Sequence, residues 1–137
     1  MLEKLINSGF GKAEDYNCAE RILNGANKVY GLGLSQEACK VSAAFGGGMG
    51  TGRVCGAVVS ALMVLGQMTT ESVEHKSPVV RVKATEFQEC FERSMGSVDC
   101  KYLKETYYNN TTHCDQVVLK AAALLDEFVV KGLANEG

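Results

Sequence analysis

The sequence predicts an all-α fold: a single-domain helical bundle of about five to seven helices, with a glycine-rich loop ahead of a buried central helix. Three observations carry that expectation. Apolar residues recur three and four apart in segment after segment. No stretch alternates with period two for long enough to make a strand. Gly, Asn, Asp and Ser fall where the periodic segments begin and end. At 137 residues the chain reads as one domain, residues 1–137, with no internal repeat and no low-complexity linker. A chain of that size buries roughly two-thirds of its unfolded surface and folds without disulfides.

Leu2, Leu5, Ile6 and Phe10 repeat at helical spacing, and Gly9 and Gly11 interrupt. Asp15, Tyr16 and Asn17 offer N-caps for a second helix, whose stripe is Cys18, Ile22, Ala26 and Val29. Gly31 and Gly33 end it. Ser35 can cap a third helix, with Ala38, Val41 and Phe45 on one face. Five of the fifteen glycines then fall between Gly46 and Gly52. An apolar helix follows from about Val54 to Met68, with Cys55, Val59, Leu62 and Leu65 on its stripe.

Thr69 to Pro78 is polar and reads as the main surface connection, with His75 in it. Val80, Ala84, Phe87, Phe91 and Met95 mark an amphipathic helix closed by Gly96. Ser97 or Asp99 can cap a short helix that carries Cys100, Leu103 and Tyr107. Asn109 to Thr112 is a turn, and Thr112 with Asp115 resembles a capping box. The last helix presents Cys114, Val118, Ala121, Leu125 and Phe128 on one face.

Charge and composition exclude several function classes. Fourteen basic and sixteen acidic side chains leave a net charge of −2 with no basic tract, so neither nucleic acid nor an anionic membrane surface is an expected partner. The start of the chain lacks a secretory signal pattern. Val54 to Leu65, about a dozen residues, is too short to span a bilayer. The expectation is a soluble, cytoplasmic protein without membrane insertion. The glycine loop matches neither G-x-G-x-x-G nor G-x-x-x-x-G-K-[ST], and no strand precedes it, so a nucleotide site is not indicated. The sequons at Asn109 and Asn110 would go unused in the cytosol.

Six cysteines, at 18, 39, 55, 90, 100 and 114, point in such a protein to redox, catalytic or metal chemistry rather than a disulfide framework. None forms C-x-x-C, so any site is assembled from distant segments. Cys18, Cys55, Cys100 and Cys114 each fall in the first turn of a predicted helix, where free N–H groups and the helix dipole favour thiolate. One dipole supplies about 0.3–1 kcal/mol against 1.36 kcal/mol per pKa unit, so activation needs several N–H donors, a cation such as Arg53, or a metal. Burial as small core residues is the competing reading for all four. For Cys39 and Cys90, mid-helix, it is the preferred one. Gly47, Gly48 and Gly50 could seat an anion or substrate on their N–H groups. His113 reads as a solvent-facing capping residue rather than a ligand or base, and Tyr16 either donates to a thiolate or packs.

Tyr16-Asn17-Cys18-Ala19, Phe45-Gly46-Gly47-Gly48-Met49-Gly50, Cys55-Gly56-Ala57, Cys100 and Cys114 together resemble the C_GCAxxG_C_C family, small proteins to which a redox role is ascribed. The resemblance covers nearly the whole chain. It implies a helical domain, a four-cysteine site and an association with transport systems. The family's CGAxxG closes on glycine where this chain has Ser60.

The leading functional expectation is thiol redox chemistry at Cys18, Cys55, Cys100 and Cys114, with Cys55 as attacking thiolate and its pKa brought from about 8.5 to about 6–7.5. That chemistry requires no cofactor, and its partner is a redox protein or a small-molecule oxidant. The alternative is that the same four cysteines hold a metal, either zinc or an iron–sulfur cluster. An interaction module with thiols as packing is a third reading, and homo-oligomer formation stays open.

Overall fold

The computed structural model describes residues 1–70 and 78–132. Among them are seven α-helices and no strand: α1 Leu2–Asn7, α2 Cys18–Tyr30, α3 Gln36–Lys40, α4 Gly56–Thr69, α5 Pro78–Met95, α6 Cys100–Tyr107 and α7 Asp115–Lys131. The fold is all-α, as the periodicity predicts. Residues 71–77, with His75 and most of the connection expected between Thr69 and Pro78, lie outside the described residues.

Local chemistry sets the helix ends. Asn17 accepts from the Glu20 N–H at 3.0 Å while Glu20 Oε1 accepts from the Asn17 N–H at 3.0 Å, a complete capping box. Gly31 closes α2 in the left-handed region at φ 63°. Ser35 Oγ accepts from the Ala38 N–H at 3.0 Å and starts α3. Gly96 follows α5 at φ 95°.

Three expectations change. The third helix stops at Lys40 and gives way to a 3₁₀ turn at Ala43–Phe45. Cys39 in the helix and Ser42 just beyond it are buried, while Val41 is 64% exposed. The expected stripe on α4 is also wrong in part: Val59 and Leu62 are half-buried, whereas Ala57, Ser60, Ala61 and Val64 are fully enclosed. This helix is covered on most sides by α2, α5 and α7, so its apolar residues have no single stripe to reveal. Thr112 does not cap α7. Its hydroxyl accepts from Asn109 Nδ2 at 2.8 Å, within the turn.

One core runs through the bundle, from Leu2 and Ile6 on α1 through Ile22, Val58 and Leu65 to Phe87, Phe91 and Leu125. Phe128 meets Phe87 edge-on, with ring centroids 5.5 Å apart. Burying each large apolar side chain contributes about 1.5–3 kcal/mol over leaving it exposed. What this packing does for function is to bring the starts of α2, α4, α6 and α7 to one end. Among the described residues no helix is long and apolar enough to cross a membrane.

Candidate functional site

The capping box fixes Cys18 as the first residue of α2, and Asn17 extends the restraint beyond its own helix. Its Nδ2 donates to the Ala43 carbonyl at 2.8 Å, tying the start of α2 to the segment that leads into the glycine loop. The loop turns back at Gly47 and Gly48, both left-handed, at φ 65° and 62°. A Cβ on Gly48 would lie 2.5 Å from the Arg53 backbone nitrogen and 2.7 Å from Cys100 Cβ, so the close approach admits no side chain. Gly47 lines the cavity described below, and its N–H reaches Cys18. A Cβ on Gly50 would meet nothing within 4 Å, and this residue takes no part in the cavity wall.

Past the loop, a two-bond antiparallel pairing joins the approaches to α4 and α6. Cys55 N–H donates to the Val98 carbonyl at 2.8 Å, and Cys100 N–H donates to the Arg53 carbonyl at 2.6 Å. Val54 faces Asp99 between them. Cys55 is thereby the N-cap of α4 and Cys100 the first residue of α6. Cys114 is the N-cap of α7, preceded by His113 at φ 55°. His113 is exposed at the cavity rim, and its ring stacks on Tyr108 at 5.5 Å. It caps nothing through its side chain.

All four cysteines line a single cavity of about 440 Å³. Cys39 and Cys90 lie outside it: Cys39 is buried in the core, and Cys90 accepts from Arg93 Nη2 at 3.3 Å. All six are free thiols. The cavity wall also holds Lys12, Arg21, Lys104 and Asp115. Asp115 binds Lys12 at 2.7 Å and Arg21 at 2.8 Å. Arg21, 5% exposed, also donates to the carbonyls of Phe10 and Ile6 at 2.9 and 3.2 Å. Tyr16 packs edge-on against Phe10, with centroids 6.2 Å apart.

The charge is unevenly shared. The Cys55 thiol hydrogen-bonds to Cys18, burial opposes ionisation, and the N–H groups of Gly47, Ala19 and Ala57 favour it; the balance holds Cys18 down at about 6. Cys55 is pushed up, first by acting as donor to Cys18, then by burial and by the Cys18 charge. Burial also raises Cys100 and Cys114, against the pull of Lys104. Cys55, the expected thiolate, is thus raised, and Cys18, which receives three N–H groups to the two that Cys55 has, is lowered. Arg53, the cation expected to help, is exposed, stands outside the cavity wall and contributes only its backbone.

A family model named "Putative redox-active protein (C_GCAxxG_C_C)" matches residues 16–128. The chain belongs to the C_GCAxxG_C_C family. No curated protein and no solved structure gives a match. In this C_GCAxxG_C_C chain Gly56 follows Cys55, and a Cβ there would lie 2.8 Å from Cys18 Sγ. The position that closes CGAxxG, Ser60, is completely buried, and its hydroxyl has no partner among the described residues. Four thiolates are donors that suit zinc or a cluster, the alternative expected for these cysteines. Among the described residues no three His, Cys, Asp or Glu side chains converge closely enough to hold one ion.

Sequence reasoning missed Lys104, Arg21, Lys12 and Asp115. Two of them carried a readable signal. Lys104 lies four residues after Cys100, and Arg21 three after Cys18, spacings that put each on the same helical face as its cysteine. Lys12 carried none, because its place depends on a turn between α1 and α2.

Proposed function

We propose that the cavity is a thiol–disulfide exchange centre in which Cys18 attacks and Cys55 resolves. The observation that carries this reading is the placement of the pair: Cys18 Sγ lies against Gly56, the first residue of the helix that Cys55 caps, both cysteines line one cavity, and backbone N–H groups of Gly47, Ala19 and Ala57 favour charge on Cys18. At neutral pH, Cys18 is then mostly thiolate and Cys55 mostly thiol, the two forms that exchange requires of attacker and resolver.

The Cys18 thiolate attacks one sulfur of a substrate disulfide. A Cys18 mixed disulfide forms, the substrate S–S bond breaks, and the first substrate thiolate leaves. Cys55 then gives up its proton to that leaving thiolate and attacks Cys18 Sγ. A Cys18–Cys55 disulfide forms and the second substrate thiolate departs. The substrate gains two electrons and the protein dithiol loses two. Cys100 and Cys114, held as thiols by burial, line the same cavity and are the next groups able to open the Cys18–Cys55 bond.

The test is stoichiometric oxidation with bis(2-hydroxyethyl) disulfide followed by peptide mapping. The expected product is Cys18–Cys55, and Cys55→Ser should stall as a mixed disulfide on Cys18. A first product that pairs Cys39 or Cys90, or an unchanged oxidation rate in Cys18→Ser, would defeat the proposal.

A further inference from the structure

The cavity also carries a selectivity that its sulfur chemistry does not explain. Of its three cations, Lys12 and Arg21 are both engaged by the one carboxylate of Asp115, at 2.7 and 2.8 Å. Asp15 is the other carboxylate in the wall. Lys104 is exposed, makes no ion pair among the described residues, and lines the same cavity as Cys100 and Cys114, where its charge opposes their rise in pKa. It extends from the helix that Cys100 begins, one turn along, beside the apolar wall formed by Leu103.

Size limits what can reach the sulfurs. Cys55 and Cys100 are 4% and 7% exposed, Cys18 and Cys114 are half-buried, and all four are reached through a cavity of about 440 Å³. That volume suits a small molecule rather than a folded partner's disulfide. A thiolate in the cavity repels an anionic substrate unless a cation offsets it, and Lys104 is the cation left to do so.

Resting on the exchange reading, we infer that the substrate class is small disulfides bearing carboxylates, and that Lys104 is the residue that holds the carboxylate. The apolar wall accepts the carbon skeleton, and Cys18 meets the S–S bond.

The experiment compares rates of Cys18 mixed-disulfide formation with dithiodiglycolate, bis(2-hydroxyethyl) disulfide and cystamine. Each rate is normalised to that of the same probe with free cysteine. At low salt the intact protein should favour dithiodiglycolate over the neutral probe by about fivefold, the scale of one partly solvated ion pair, and should disfavour cystamine. Lys104→Gln should bring the ratio near one and Lys104→Glu should invert it. Lys104→Arg should keep it, as should Lys101→Gln, which removes a charge from the same helix outside the cavity wall. A ratio near one in the unmodified protein, or an unchanged ratio in Lys104→Gln, overturns the inference and leaves exchange standing. Failure of all three probes to modify Cys18 overturns the exchange reading and the inference with it.

Discussion

Gly56 lies directly against Cys18: a Cβ on Gly56 would stand 2.8 Å from the Cys18 sulfur and 2.6 Å from the Phe45 carbonyl oxygen. Glycine at the first position of a helix is an unfavourable choice on its own, and alanine there would gain up to about 1 kcal/mol in helix propensity. The contact reverses that sign. Gly56→Ala should destabilise the fold by about 1–3 kcal/mol, as overpacking does, because the sulfur and the carbonyl cannot both withdraw. It should also displace Cys18 from the N–H groups that hold its charge and slow its alkylation near neutral pH. Urea denaturation and iodoacetamide kinetics measure the two effects. A stabilised variant with unaltered kinetics would show that the two helices part without cost.

The loop offers a sharper comparison, because two of its glycines share a positive φ and differ in what surrounds them. Gly48 and Gly50 both adopt positive φ, at 62° and 75°. Alanine in that region costs about 1–2 kcal/mol. At Gly48 the new Cβ also meets Arg53 backbone and Cys100 Cβ inside 3 Å, whereas at Gly50 it meets nothing within 4 Å. Gly48→Ala should therefore cost about 3 kcal/mol or more and disturb Cys100, and Gly50→Ala about 1 kcal/mol with the thiols unchanged. Equal losses in the two variants would mean that backbone conformation alone governs the loop.

Much of this arrangement is legible in the sequence, and the parts that are not share a cause. Asn17 and Ser35 are readable as caps because capping is a matter of a few consecutive residues. The four cysteines are readable as a group through their shared first-turn positions. Arg53 misleads because nearness in sequence does not put a side chain at the site; the chain here pairs with Val98 to Cys100, and Arg53 is exposed and outside the cavity wall. Val41 reads as inward because periodicity assumes a helix that continues, and this one ends at Lys40. The identity of the thiolate is not written in local sequence. It depends on the Gly47 N–H, brought from a distant segment, and on which of two facing sulfurs keeps one proton.

Asp115 gives the fold a pH dependence of known sign. Burial raises its pKa, but the hydrogen bonds and charges of Lys12 and Arg21 outweigh burial and hold the carboxyl below its ordinary value. A depressed folded-state pKa contributes stability that is present above the unfolded carboxylate value of about 3.9 and is lost as pH falls through the folded value. Asp115→Ala leaves Arg21 buried without its carboxylate and should cost about 2–3 kcal/mol at pH 7. That difference should shrink as the pH drops below about 4, where the unsubstituted protein loses the same contribution. Thermal unfolding of both proteins at pH 7 and pH 3 measures it. A gap of equal size at the two pH values would show that Asp115 acts through packing rather than charge.

Cys18, rather than Cys55, should be the first thiol to react. With its pKa held at about 6, its thiolate fraction rises through slightly acid pH, while Cys55, Cys100 and Cys114 are all raised and lag behind. Iodoacetamide labelling across pH 4–9, with sites located by mass spectrometry, should give a Cys18 midpoint at about 6. The largest favourable contribution is the Cys55 hydrogen bond. A hydrogen bond to a charged group is worth about 1.5–3 kcal/mol, so Cys55→Ala should move the midpoint up by about one to two units. Cys55→Ser retains an O–H donor in place of the thiol and should leave the midpoint nearer 6. Gly47, Ala19 and Ala57 N–H groups remain in both variants, so neither should return Cys18 to the behaviour of a buried thiol with no donors. Labelling of Cys55 ahead of Cys18, or a midpoint that Cys55→Ala does not shift, would show that the proton rests on the other sulfur.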